Sequence, residues 1–190
     1  MSSITEQKAA LRLYLRQEQA KLDPSDLQGS DQQIAKHLLG LAEWKAAHTI
    51  FLYLSVGKEP DTWSILKEAW REGKRVAVPR CQPGGIMEAR EISSLQGLVP
   101  RSFGILEPDE SHPLISPEEL DLVIAPCLAA DGRLHRLGHG AGYYDRYLPR
   151  VRCPILCLCR GVFLLEKLPA DELDAPVDRV ITEAGVFPTP

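Results

Sequence analysis

Residues 121–126 read Asp121-Leu122-Val123-Ile124-Ala125-Pro126, and this run says most about the architecture of the chain. Four apolar residues between an aspartate and a proline are typical of a short strand that is buried on both faces. Similar runs recur on either side of it. They predict strands at 49–54, 75–78, 86–92, 121–125, 154–158 and 179–181.

Helical patterns separate several of these strands. Ser3 and Glu6 resemble a capping box at the start of a first helix. A second helix is predicted over 26–42. A third is predicted over 61–72, with an aspartate that can cap its first turn and with Gly73 as its stop.

Strands that alternate with helices favour a largely parallel sheet that is covered on both faces. We therefore predict an α/β fold with three α/β/α layers around a mainly parallel central sheet, in a single domain spanning residues 1–190. In open parallel sheets, ligands bind beyond the carboxyl ends of the strands. The segment that follows residue 125 is expected at that edge.

The composition excludes several classes of function. A formal net charge of -4 argues against a general nucleic-acid binder, which would carry a basic excess. The longest apolar tract, near 154–165, is interrupted by Arg160 and is too short to span a bilayer. The first residues lack the basic start and apolar core of a signal peptide. We expect a cytoplasmic protein that binds no nucleic acid and no membrane.

The cysteines form no set with metal-ligand spacing. Cys153, Cys157 and Cys159 cluster in an apolar run that contains neither a histidine nor a CxxC pair. On a strand, Cys157 and Cys159 would share one face, where thiols pack as small hydrophobic groups. We expect buried free thiols in a reducing compartment rather than a zinc site.

The chemistry concentrates in one segment, called here the glycine segment, which reads Arg136-Leu137-Gly138-His139-Gly140-Ala141-Gly142-Tyr143-Tyr144-Asp145-Arg146. Glycine at every second position lets backbone N–H groups approach a ligand closely, and a helix that starts there offers unpaired N–H groups to an anion. Arg136 adds a forked positive charge, and Asp145 adds an oxygen ligand suited to magnesium. The pattern favours a polyphosphate with magnesium, although an ordinary surface turn has the same composition.

The glycine segment also resembles the signature of the 5-formyltetrahydrofolate cyclo-ligases, which are also called methenyltetrahydrofolate synthetases. Further matching segments occur in order along nearly the whole chain, and the ordered set is more specific than any one motif. They are Lys8 with Leu11-Arg12, Tyr53-Leu54-Ser55, Glu59-Pro60-Asp61-Thr62, Gly73-Lys74, Pro79, Phe103-Gly104-Ile105, Glu107-Pro108, residues 121–126, Leu168-Pro169 and Asp174-Ala175-Pro176-Val177-Asp178.

This resemblance implies an enzyme that uses ATP and Mg²⁺ to cyclise 5-formyltetrahydrofolate to 5,10-methenyltetrahydrofolate, with release of ADP and phosphate. The formyl oxygen attacks the γ-phosphate, N10 then closes the ring, and phosphate leaves. Such phosphoryl transfer needs positioning and charge neutralisation more than a protein nucleophile. The implied partners are small molecules, and no obligate protein partner is evident.

The resemblance also assigns roles by position. Lys8, Arg12 and Arg136 are the implied catalytic cations, and Asp145 and Asp174 the implied magnesium ligands. The implied ATP-binding residues are Lys8, Arg12, Arg136, Gly138, His139, Gly140, Ala141, Gly142, Tyr143 and Tyr144. The implied folate-binding residues are Arg12, Leu54, Glu59, Tyr143 and Tyr144.

Other interpretations stay open at this point. Lys8 and Arg12 could form a solvated helix face, and Glu59 and Asp174 could be ordinary loop carboxylates. For the whole chain, the alternatives are a catalytically silent nucleotide- or folate-binding paralogue, and a sugar-phosphate isomerase or acyl-CoA transferase with a related layered fold.

A few positions depart from the family pattern. Cys127 and Ala130 stand where glycine and phenylalanine are usual, and Leu173 stands where a polar residue commonly precedes the late aspartate. The usual aromatic and glutamine are not obvious around Arg160. These departures affect the expected substrate pocket more than the expected ATP site.

Overall fold

The computed structural model describes residues 2–101 and 104–188 of the chain. The predicted match at Phe103 lies outside these residues. The helices are α1 (Ile4–Lys21), α2 (Pro24–Gly40), α3 (Ala42–Ala46), α4 (Trp63–Arg71) and α5 (Tyr143–Tyr147). The strands are β1 (Thr49–Leu52), β2 (Arg75–Gln82), β3 (Ile86–Ile92), β4 (Val99–Pro100), β5 (Leu106–Glu107), β6 (Leu114–Ile115), β7 (Leu122–Ala125), β8 (Ala129–Asp131), β9 (Arg136–Leu137), β10 (Ile155–Leu158), β11 (Leu164–Leu165), β12 (Arg179–Thr182) and β13 (Gly185–Phe187).

The central sheet has eight strands in the order β13-β12-β10-β7-β1-β2-β3-β6. The inner strands β12, β10, β7, β1 and β2 are mutually parallel. The outer strands β13, β3 and β6 pair antiparallel with their neighbours. The predicted α/β fold with a mainly parallel central sheet is therefore confirmed.

Alternate residues of the inner strands enter different hydrophobic clusters, which shows that the sheet is covered on both faces. Ile50 of β1 packs in a cluster with residues of α2, α3 and α4. Its neighbour Phe51 points the other way, into a cluster with Tyr147 of α5. Leu15 of α1 packs on that second face against Cys157 and Val180. The small sheet β11-β8-β9 also contributes to this second layer.

Local sequence signals fix most element boundaries. The capping box of Ser3 and Glu6 is present at the start of α1, as predicted. The second helix begins earlier than predicted, because Asp23 caps it and accepts a hydrogen bond from Ser25 N. The carboxylate of Asp61 accepts hydrogen bonds from the first turn of α4. Gly73 has a φ of 73°, which suits its predicted role as the helix stop.

The prediction for β2 was four residues too short. β2 continues through Pro79 to Gln82, although the sequence predicted an end at 78. Proline lacks a backbone N–H and is tolerated where a neighbouring strand does not need one. β1 pairs with β2 only as far as Ala77, so no hydrogen bond to β1 is lost at Pro79.

The three tryptophans of the chain all lie on α3 and α4. Trp44 Nε1 donates a hydrogen bond of 3.1 Å to Glu72. Trp63 Nε1 donates to Ser55 O at 3.0 Å, and Trp70 Nε1 donates to Ile92 O at 3.1 Å. The first bond ties α3 to the end of α4, and the other two tie α4 to the loop after β1 and to the end of β3.

All five cysteines are free thiols. Cys157 and Cys159 are buried, as predicted, whereas Cys153 is half-buried. Burial raises the pKa of the Cys153 thiol to about 11. Among the residues that the structure describes, no helix is both long and apolar enough to cross a bilayer.

Candidate active site

The glycine segment lies at the carboxyl ends of the parallel strands, where His139 contacts Glu59 in the loop after β1 and Tyr143 contacts Gln82 at the end of β2. Ligands of open parallel sheets bind at this edge. It runs from β9 into α5. Gly140 and Gly142 have φ values of 108° and 69°, in the region that favours glycine. The helix that follows has only five residues. Anion binding here would therefore depend on side chains and turn N–H groups more than on the expected helix start.

Arg136 is buried at the base of the glycine segment, with its side chain 2% exposed. Its Nη1 donates a hydrogen bond of 2.8 Å to Asp145 Oδ1. Its Nε and Nη2 are buried and have no hydrogen-bond partner among the described residues, and the same holds for the hydroxyl of Tyr144. Buried donors that lack an acceptor cost about 1–3 kcal/mol each. His135 Nδ1 and the hydroxyl of Tyr147 also lack a partner among the described residues, so such groups are not confined to the glycine segment. Those of Arg136 and Tyr144 are the ones that belong to the segment and could be completed by a ligand or a water.

The two tyrosines of the segment are held by protein contacts. The ring of Tyr144 stacks on Phe51 with centroids 6.2 Å apart and lies 5.8 Å from the guanidinium carbon of Arg136. Burial raises the pKa of Tyr144 well above its usual value, so the hydroxyl stays a donor at neutral pH. Tyr143 donates a hydrogen bond of 3.3 Å to Gln82 O. Coverage of a pterin by these rings stays a prediction.

Helix α1 docks its cations on the site. Lys8 Nζ lies 2.6 Å from Asp174 Oδ2 and 2.8 Å from Asp171 Oδ2. Burial opposes the charge of Lys8, but the hydrogen bonds to Asp171 and Asp174 outweigh it and raise the pKa of Lys8. One turn on, Arg12 Nε donates a hydrogen bond of 2.9 Å to Gly138 O. Lys8 is buried, so it does not belong to a solvated helix face.

The two predicted magnesium ligands each use one oxygen within the protein. Asp145 Oδ1 accepts from Arg136 and, at 3.3 Å, from Ala175 N. Asp174 Oδ2 accepts from Lys8 and, at 2.7 Å, from Asp171 N. The remaining oxygens fit a magnesium ion, which is usually held by one or two carboxylates together with substrate phosphates. The described residues contain no group of three or more side chains that could hold a metal alone.

Glu59 faces the glycine segment from the loop between β1 and α4. Its Oε2 accepts a hydrogen bond of 2.9 Å from Val56 N. Its Oε1 lies 3.2 Å from His139 Nε2. Leu54 is buried nearby and packs in the cluster beneath the helices. The structure therefore brings Glu59 to the glycine segment, while Leu54 forms part of the core under the loop.

Three residues near the site were missed by the sequence analysis. Arg16 Nη2 donates to His139 O at 3.2 Å, and its position one turn after Arg12 could have revealed it. Asp171 accepts a hydrogen bond from Lys8 Nζ, which also donates to Asp174. Buried Arg160 contacts the loop that carries Glu59. The sequence showed only that Arg160 follows an apolar strand. A single arginine in that place does not indicate which residues it contacts.

The model of the 5-formyltetrahydrofolate cyclo-ligase family matches residues 4–183. The chain belongs to this family. The cyclo-ligase interpretation is therefore favoured over the sugar-phosphate isomerase and acyl-CoA transferase alternatives, which rested on the layered fold alone.

Relatives of the family match over nearly their whole length. The probable 5-formyltetrahydrofolate cyclo-ligase of Schizosaccharomyces pombe is 30% identical, over 95% of this chain and 97% of that protein. The 5-formyltetrahydrofolate cyclo-ligase of Escherichia coli K12 is 31% identical, over 91% of this chain and 98% of that protein. The NMR structure of Aquifex aeolicus 5,10-methenyltetrahydrofolate synthetase superposes with a TM-score of 0.84 at 30% identity, covering 95% of this chain and 91% of that chain.

Proposed function

We propose that this protein cyclises 5-formyltetrahydrofolate to 5,10-methenyltetrahydrofolate, with conversion of ATP to ADP and phosphate. The substrate follows from membership of the cyclo-ligase family. The use of ATP is supported by one observation above all, the three buried donors of Arg136 and Tyr144 that lack acceptors among the described residues. Phosphate oxygens are strong acceptors, and a guanidinium fork matches them geometrically.

The cations around the glycine segment suit charge neutralisation during phosphoryl transfer. A lysine ammonium has three donors, and Lys8 uses two of them on Asp171 and Asp174. The third is available to a phosphate oxygen. Arg12 and Arg136 keep further donors beyond their contacts with Gly138 O and Asp145. We assign ATP binding to these cations and to the backbone of the segment Gly138, His139, Gly140, Ala141, Gly142, Tyr143 and Tyr144.

Asp145 and Asp174 would hold Mg²⁺ through the oxygens that their hydrogen bonds leave free. The ion would supply further positive charge to the phosphates. The protein's own contribution is to position the formyl oxygen in line with the γ-phosphate and to exclude water from the pocket. Folate binding is assigned to Arg12, Leu54, Glu59, Tyr143 and Tyr144. In this assignment Glu59 accepts hydrogen bonds from pterin N–H groups and exchanges its contact with His139 for them.

We also propose that residues 1–190 form one domain. Lys8, Glu59, Arg136 and Asp174 come from widely separated parts of the chain yet contribute to one site, so no shorter piece would contain it. The half-buried free thiol of Cys153 favours a reducing compartment, and we propose the cytoplasm.

A turnover assay tests the proposal. Purified protein with MgATP and 5-formyltetrahydrofolate should produce the methenyl chromophore and one ADP per product. Arg136→Lys should lose most of this activity, because an ammonium cannot replace the guanidinium fork. Arg150→Lys is the matched control, because Arg150 is exposed on the turn after α5. This variant should retain the activity. If no chromophore forms and ATP stays intact, the proposed enzymatic activity is refuted. Ligand binding without turnover would favour the catalytically silent paralogue.

A variant of the metal site tests the magnesium assignment. Asp145→Asn should weaken magnesium-dependent use of ATP while the protein remains folded, because the amide removes one of the two proposed carboxylate ligands but its oxygen can still accept from Arg136. The measurement is the rate against magnesium concentration at fixed ATP. Wild-type turnover in the variant would show that the metal is held elsewhere.

A further inference from the structure

Arg160 is a buried arginine that bridges two elements beside the site. It follows β10, and its side chain is 4% exposed. Its Nη1 donates a hydrogen bond of 2.9 Å to Ser30 Oγ, and its Nη2 lies 2.9 Å from Asp31 Oδ1, both on α2. The same guanidinium donates to the carbonyl oxygens of Lys58 at 2.9 Å and Glu59 at 3.0 Å. One side chain thus joins α2 to the loop that carries Glu59.

The loop is fixed on both sides of Glu59 by related contacts. Asp31 Oδ1 also accepts a hydrogen bond of 3.1 Å from Asp61 N. Lys58 Nζ donates to Ala20 O at 2.6 Å and to Leu22 O at 2.7 Å, at the end of α1. These contacts hold the backbone of the loop, whereas the carboxylate of Glu59 is left to face the glycine segment.

Burying an arginine to hold a loop costs free energy of desolvation. Removing a guanidinium from water carries a penalty that only well-aligned partners offset, and an apolar side chain would often stabilise the fold as well. Its advantage is geometric, because the planar fork fixes several acceptors in one arrangement. The acceptors here include the carbonyl oxygen of Glu59, whose carboxylate lies 3.2 Å from His139 of the glycine segment.

We propose that Arg160 is a positioning residue for Glu59 and sets the affinity for the folate without touching it. The proposal rests on the proposed function only in taking a folate as the ligand of Glu59. The loop is held in its binding geometry before the substrate arrives, so less order is lost on binding. The hydrogen bonds of Arg160 go to α2 and to this loop, and they reach the glycine segment only indirectly, through the contact of Glu59 with His139. ATP binding should therefore depend on Arg160 much less than folate binding does.

The test compares Arg160→Lys with the wild type. An ammonium cannot span Ser30, Asp31 and two carbonyl oxygens together, so the loop should lose its fixed geometry. We expect the KM for 5-formyltetrahydrofolate to rise about tenfold or more, with the KM for MgATP nearly unchanged and a smaller fall in kcat. Arg179→Lys is the matched control. Arg179 lies 2.7 Å from Glu43, at the start of β12 and away from the site. Its variant should leave both KM values unchanged.

A double-mutant cycle tests whether Arg160 acts through Glu59. If Arg160 acts through Glu59, its substitution should have little further effect on folate affinity in a Glu59→Gln background. If Arg160→Lys is poorly folded, Ser30→Ala replaces it in the cycle, because it removes one acceptor and leaves Arg160 in place. Direct folate binding is measured beside turnover.

The outcomes separate this inference from the proposed function. Suppose that the wild-type protein turns over. If the KM values for folate and for MgATP then rise equally in Arg160→Lys, or if the effects of the two substitutions on folate affinity are additive, Arg160 has a general structural role and the inference is overturned. A wild-type protein without turnover would refute the proposed function instead. In that case folate binding alone still decides the inference, and an unchanged affinity in Arg160→Lys would overturn it.

Discussion

At the scale of single residues, the guanidinium of Arg146 fills the space beside two glycines near the site, Gly85 and Gly142, whose positive φ values already favour glycine. Its Nε donates to Gly85 O at 2.9 Å, and its Nη2 donates to Ala141 O at 2.6 Å. It therefore links the glycine segment to the turn between β2 and β3. A Cβ on Gly142 would lie 2.7 Å from Arg146 Nη1, and a Cβ on Gly85 would also collide with this guanidinium.

Gly142→Ala should therefore harm both stability and ATP use. Its φ of 69° costs an alanine about 1–2 kcal/mol, and Arg146 must also move. Gly84→Ala is the matched control, because Gly84 has a φ of 76° but a Cβ there would meet none of the described atoms within 4 Å. Urea unfolding should show a loss in both variants, and the KM for ATP should rise only in Gly142→Ala. Equal KM values would show that Arg146 does not shape the site.

The contacts of single site residues were beyond sequence reasoning. Lys8, Arg12 and Arg136 could be named as cations from their positions in a pattern. The residues that they contact could not be named from the sequence. Lys8 and Asp174, for example, are separated by 166 positions. His139 was named only as an ATP-binding residue of the glycine segment, yet its imidazole lies 3.2 Å from the carboxylate of Glu59, 80 positions away. Such contacts depend on how loops meet, which local periodicity does not encode.

At the scale of elements, the small sheet β11-β8-β9 is stabilised by a buried carboxylate. Asp131 ends β8 and accepts hydrogen bonds from the backbone of Arg133, His135 and Leu168 at 2.9 to 3.0 Å. Burial alone would raise the pKa of Asp131, but the hydrogen bonds from these residues outweigh it and hold the pKa below the usual 3.8. The ionised form is thus favoured in the folded protein.

Asp131→Ala should lower the free energy of unfolding by about 3 kcal/mol at neutral pH, because it leaves buried N–H groups without an acceptor. The carboxylate has a lower pKa in the folded state, so its stabilisation is present above about pH 4 and is lost as the pH falls through the lowered pKa. Urea unfolding of both proteins at several pH values measures this. The difference in the free energy of unfolding between the wild type and Asp131→Ala should become smaller in acid. A difference that stays constant with pH would contradict stabilisation by the ionised carboxylate.

Elements were predicted best where a pattern extends over several residues. The buried runs of β7 and β10 were found because four apolar residues in a row are a local signal. β8, β9 and β11 have two or three residues each and carry too little pattern to be recognised. The antiparallel edges of the central sheet were missed for a different reason, since strand direction depends on connections between elements.

At the scale of the whole molecule, the site exists only when distant segments are assembled. α1, the loop before α4, the glycine segment and the loop at Asp174 all contribute side chains to it. A ligand that binds this assembly binds the folded state alone, and the equilibrium then shifts toward that state.

MgATP should therefore raise the melting temperature. At 100 times its Kd it adds about 2.7 kcal/mol to the free energy of unfolding, or roughly 5–10 °C for a protein of this size. Arg136→Gln should abolish most of this shift, whereas Arg150→Gln should preserve it. Differential scanning fluorimetry with and without a chelator measures both. A full shift in Arg136→Gln would place the nucleotide outside the glycine segment.

The position of the tryptophans has a practical consequence for such experiments. Trp44 and Trp70 are anchored in the helical layer on one face of the sheet, opposite the layer of α1 and α5. Their intrinsic emission should report the melting of that layer and respond little to nucleotide. Trp63 is bonded to Ser55 O, at the start of the loop that carries Glu59. It is the native fluorophore best placed to sense folate, so a protein that retains Trp63 alone would give a label-free optical signal for one substrate.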